Sequence, residues 1–206
     1  MARDEAPPFG RGETYYNGTP KDPVFADPLH LLGKEYVFEV NSEGINQDAS
    51  PNPYDPSGRA VRVRVAQNKS GVNLKPARLA RFKLEDPYGT TVDGYTTGIA
   101  DRPAGVVDEF LPPAGVADGD LFYLVVDGPS KVTQASASAA VLAIGDVLVP
   151  ATGTSNTNDD AGRVAKQDVS GAAATLANNL ASRVGFASVA NNSVEDAVVP
   201  ALVKLV

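Results

Sequence analysis

The chain has 206 residues, enough for one domain with appendages or two small ones. It contains no cysteine, which excludes disulfides, thiolate chemistry and cysteine-based zinc sites, and its single histidine, His30, excludes a multi-histidine metal centre. The net charge of −7 is segregated: Arg59 to Lys83 holds eight basic residues and no acid, and the rest of the chain holds ten basic and 25 acidic groups. Such segregation predicts electrostatic docking on an acidic surface, including that of another copy of the chain.

Residues 1–58 carry eight of the sixteen prolines, with glycines between them, and read as an extended N-terminal arm ahead of a body at 59–206. The opening MARDEAPPFGRGETYY has no apolar run, so neither a signal peptide nor a membrane anchor is expected, and the protein is expected to be made in the cytoplasm. A solvated tail has no use for Phe9, Tyr15, Tyr16, Phe25, Leu29, Leu31 and Leu32. These residues are the candidate anchors by which the arm grips a neighbour. Leu29 to Leu32 predicts one helical turn, and Glu35 to Val40 (EYVFEV) a strand.

The body opens on Val61-Arg62-Val63-Arg64-Val65, a strict alternation that sends valines to one face of a strand and arginines to the other. Asn68 to Gly71 predicts a turn. Arg78 to Leu84 puts Leu79 out of phase with Phe82 and Leu84, which calls for a bulge. Short strands are expected within 90–97 and 98–100, and Gly105-Val106-Val107 leads on from them. Pro112-Pro113 and Gly115 then turn the chain towards Leu121–Val126, six apolar or aromatic residues typical of a strand covered on both faces. Asp118-Gly119-Asp120 and Asp127-Gly128-Pro129 read as turns on either side of it. Further strands are expected at 147–149, 163–166, 183–189 and 198–206. Short strands separated by turn signals indicate an all-β body, a compact sandwich or a barrel-like domain.

The sequence offers little for catalysis, so no catalytic residue, cofactor or metal is assigned. Asn156 to Asp160 alternates oxygen ligands as a calcium loop would, but it lacks the required glycine, and Gln167 stands where a bidentate glutamate is needed. Asp108 and Glu109 are adjacent, and on a strand they would face opposite ways, which argues against paired acid–base work. No phosphate-binding loop, nucleophile elbow or dinucleotide fingerprint occurs. Single-stranded nucleic acid would require aromatics among the basic residues, and only Phe82 stands there, so no direct nucleic-acid contact is expected. Arg62, Arg64, Arg78 and Arg81 are instead the candidates for docking on acidic protein surface.

One family resemblance covers residues 59–206. It rests on the Ala-Gly-Val entering a strand at 114–116, the Gly-Asp turns at 119–120 and 145–146, Gly162-Arg163-Val164 after a polar loop, and Arg183-Val184-Gly185-Phe186-Ala187. In these patterns the chain resembles the capsid cement, or head-decoration, proteins of tailed bacteriophages. The resemblance implies a non-enzymatic virion protein on the outer capsid surface, partnered by the major capsid protein and by its own copies, commonly as a homotrimer, with no membrane partner. A tail- or fibre-associated module that binds host glycans is the alternative, weakened by the absence of tryptophan as a stacking platform.

Overall fold

The two clearest strand patterns in the sequence become the two strands on which the others assemble. A computed structural model describes residues 7–15, 28–40, 59–86, 89–135, 142–151, 161–167, 183–188 and 198–205. Over these residues the protein is all-β. Its strands are β1 (Glu35–Val40), β2 (Arg59–Asn68), β3 (Leu79–Phe82), β4 (Thr91–Tyr95), β5 (Pro103–Val107), β6 (Leu121–Thr133), β7 (Val147–Pro150), β8 (Val164–Lys166), β9 (Gly185–Ala187) and β10 (Val198–Lys204). A single 3-10 turn at Pro28–Leu31 precedes β1.

Pairing runs β1-β2-β4-β3-β5-β6-β10-β9-β7-β8, and β2 also pairs with β6. That extra pairing closes β2, β4, β3, β5 and β6 into a ring. All its joints are antiparallel except β2–β4, which is parallel at Gln67–Thr91 and Asn68–Val92. Beyond the ring, Asp127 to Thr133 of β6 pairs with β10, so one 13-residue strand serves both the ring and the β10-β9-β7-β8 wing.

The period of two then sorts the side chains into two cores. Ala66, Ala80, Val92, Val107, Phe122 and Leu124 form one cluster with Tyr95, Leu74 and Val116. This cluster takes nothing from β1 or from the wing strands, which identifies it as the ring's interior. The opposite faces of the same strands present Val63, Val65, Leu79, Val106, Tyr123 and Val125 to a larger cluster, which β1 and the wing complete with Tyr36, Leu148, Val164, Val199 and Val203. Burial of a large apolar side chain is worth about 1.5–3 kcal/mol, so these two layers dominate the stability of the fold.

Two predicted features resolve differently. The bulge expected around Arg81 is present, as β3 shifts register against β4 between Arg81 and Phe82. Asp127-Gly128-Pro129, read as a turn, lies inside β6. The register against β2 slips at Val126, just before the tripeptide, and the strand runs on through it, with Asp127, Gly128 and Pro129 paired in order to β10. Gly128 is required there: its φ is +105°, and a Cβ would stand 2.6 Å from the Ala60 carbonyl oxygen.

Candidate interaction surface

The N-terminal residues 7–15 lie along the start of β6 and the end of β5. A tight turn shapes them: the Glu13 N–H donates to the Gly10 carbonyl at 3.3 Å, and the Gly10 N–H donates to Glu13 Oε2 at 2.9 Å. On one side of this turn the Phe9 ring stacks on Tyr123, with centroids 4.2 Å apart and planes at 22°. The Tyr123 hydroxyl donates to the Phe9 carbonyl at 2.9 Å. On the other side Tyr15 and Leu121 exchange backbone hydrogen bonds, both at 2.9 Å, which adds one rung of ladder at the first residue of β6. Burial pushes the Tyr123 hydroxyl well above its ordinary pKa, against the opposing effect of its bond to Phe9.

Between these anchors Arg11 reaches Asp108. Its Nη2 stands 2.7 Å and its Nε 3.2 Å from Asp108 Oδ1, and the Gly12 N–H donates to Oδ2 at 2.8 Å. The side chains are 13% and 1% exposed, so this is a largely desolvated ion pair. The guanidinium also lies over the Phe110 ring, 4.6 Å from its centroid. Glu109 turns to the same place, 3.9 Å from Arg11, and accepts the Lys131 N–H at 3.2 Å. The expectation that these neighbouring acids face opposite ways fails because β5 ends at Val107. The chain turns there, with the Leu111 N–H donating to the Asp108 carbonyl, and both carboxylates meet one cation. Burial, with the neighbouring Asp108 adding to it, raises the Glu109 pKa; Arg11 and Lys131 pull the other way and do not cancel it.

The basic stretch lies elsewhere on the surface. Arg62 and Arg64 point away from the valines, as the alternation requires, and Glu35 on β1 sits between them. Arg64 Nη2 is 2.6 Å from Glu35 Oε1. Arg62 lies 3.4 Å from Glu35 Oε2 and 3.7 Å from Asp127. Arg81 is held by Asp93 at 2.9 Å and Asp101 at 3.4 Å. Burial tends to raise the Asp101 pKa, but the Thr97 N–H and hydroxyl together with Arg81 outweigh it and leave it lowered. Arg78 donates to the Ala161 carbonyl at 3.1 Å and lies over the Tyr95 ring. A run that holds no acid in sequence therefore meets acids brought to it from other strands. Beside Arg81 a cleft of about 510 Å³ opens, with Asp93, Asp101 and Arg102 in its wall and Leu84 fully exposed at its rim.

Of the anchors named from sequence, Tyr15 and Leu31 are buried in the larger core, and Phe9 and Leu32 pack against it. Tyr36 and Phe38 stand edge-on to Tyr123 at 6.2 and 5.4 Å. Tyr16 and Phe25, the side chain of Leu29 and the Asn156–Asp160 loop lie outside the described residues. Sequence reasoning missed Arg11, Asp108, Glu109 and Tyr123 as one assembly. Its only trace in sequence is an arginine between two glycines, and its partner stands 97 residues away. Among the described residues no group of three or more His, Asp or Glu side chains is placed to hold a metal ion.

No family model matches the chain, and no curated protein matches it. Among solved structures the chain is similar to the N base of the head fiber gp8.5 in bacteriophage phi29. The sequence identity is 15%, the match covers 68% of this chain and 92% of that one, and the TM-score is 0.38. A likeness of that extent transfers no residue role to this chain.

Proposed function

We propose that the protein is a virion structural protein that binds the outer surface of a phage head and stabilises it by bridging capsomers, and that it catalyses no reaction. One observation carries the reading: the motifs by which the sequence resembles head-decoration proteins are structural joints of the described body. Gly119-Asp120 leads into β6, Gly145-Asp146 into β7 and Gly162-Arg163 into β8, and Gly185-Phe186-Ala187 is β9. Gly162 illustrates the constraint. Its φ is +73°, a Cβ would meet Tyr95 at 2.7 Å, and its carbonyl accepts the Leu79 N–H.

The surface supports contact with another protein. Val37, Leu84, Phe110, Ile144 and Val198 expose apolar side chains at separate places, and Arg62 and Lys83 remain nearly half exposed beside them. Shallow contacts of this kind are individually weak and gain strength when many copies act on one particle. The partners in this reading are the major capsid protein and other copies of the chain, arranged as trimers.

Co-sedimentation with expanded empty heads tests the proposal. Saturable binding is expected, together with a rise in the temperature at which the heads disrupt. Folded protein that stays in the supernatant at every concentration would overturn it, and retention by a glycan array in that case would point to the tail-fibre alternative.

A further inference from the structure

We infer that the groove filled by residues 7–15 is also a docking site for residues 7–15 of a second copy, so that neighbouring molecules exchange their N-terminal segments. This deepens the reading above, since it names how copies join.

The contacts of the segment are self-contained. Phe9 meets Tyr123, Arg11 meets Asp108 and Glu109, and Tyr15 pairs with Leu121. None of these depends on which molecule supplies the segment. The groove is also selective: it requires an aromatic ring, then a guanidinium two residues on for the desolvated Asp108, then a strand-paired residue four further along. The chain's own N-terminus satisfies all three. Twelve residues, 16–27, separate Tyr15 from the turn at Pro28, and a chain of that length reaches at most about 40 Å.

Exchange, reciprocal in a pair or cyclic in a trimer, replaces each intramolecular docking with an identical intermolecular one, so the docking energies cancel. What remains is the entropy of joining two molecules, set against the effective concentration of a tethered segment, which is on the order of mM. A dilute solution therefore holds mainly closed monomers. Copies packed side by side on a particle meet the concentration at which exchange becomes favourable.

The experiment uses the full chain in solution, without heads, so its failure is separable from failure of head binding. Light scattering and sedimentation equilibrium would follow the unmodified protein into the mM range, alongside Arg11→Glu and Phe9→Ala. The expected result is a reversible dimer or trimer of the unmodified protein, which Phe9→Ala leaves within a few-fold because its docking loss cancels, and which Arg11→Glu abolishes because its segment seats in no copy. A charge-swap mixture sharpens it. Arg11→Glu sets an acid against Asp108, and Asp108→Arg sets a base against Arg11, so each variant repels its own segment. Mixed together, both segments find a complementary groove in the other molecule, and a heterodimer should form far below the concentration at which the unmodified chain dimerises. If Asp108→Arg fails to fold, the comparison of the unmodified chain with Arg11→Glu decides alone. A chain that stays monomeric through the mM range, or an oligomer that Arg11→Glu leaves intact, would overturn the proposal.

Discussion

Arg11–Asp108 and Arg64–Glu35 have nearly the same geometry, at 2.7 and 2.6 Å, and very different surroundings. The first pair is almost removed from water. The second leaves each side chain about a third exposed, at 31% and 33%. Distance therefore does not rank them; solvent does. An exposed pair already has water as an alternative partner, whereas Asp108 without Arg11 keeps only backbone donors around a buried charge.

The sharpest way to break this contrast is to remove each arginine in turn. Arg11→Ala should destabilise the protein by about 3–5 kcal/mol, read as a lower denaturant midpoint at unchanged slope. Phe9→Ala, which removes the ring stacked on Tyr123 but strands no charge, should lose about 2 kcal/mol in the same measurement. Glu109 supplies a smaller effect with a definite sign. Its folded pKa is raised, so the stability it contributes is present below its unfolded pKa and is lost as the pH rises through the folded one. Glu109→Gln should therefore be more stable than the unmodified chain at neutral pH, and the gap should close as the solution is acidified. Arg64→Ala should change stability by less than about 1 kcal/mol, and high salt should erase the difference. Equal losses from Arg11→Ala and Arg64→Ala would show that burial does not separate the two pairs.

What could be read from the sequence divides along the same line between local and distant causes. The Val61–Val65 alternation and the apolar run at Leu121–Val126 predicted β2 and β6, because strand periodicity is written in consecutive residues. Phase slippage around Leu79 predicted the bulge in β3. Asp127-Gly128-Pro129 misled because turn-forming residue types can also continue a strand just past a bulge, and only pairing with β2 and β10 distinguishes the two. The seat of residues 7–15 was invisible for a stronger reason. Phe9 and Tyr15 were identifiable as anchors, but their surface is assembled from Asp108, Leu121 and Tyr123, about a hundred positions away. The basic run likewise looked unopposed because Glu35, Asp93 and Asp101 lie on other elements.

The sharing of β6 between the ring and the wing bears on how the molecule comes apart. Leu121–Thr133 holds hydrogen bonds to β2, β5 and β10, and the N-terminal residues close over its first position. Release of this strand would strip both halves of a central partner at once, so its opening should coincide with unfolding of the whole molecule. Amide protons along Tyr123 to Val132 should accordingly be among the last to be replaced by deuterium, at a rate that reports the opening of the whole molecule.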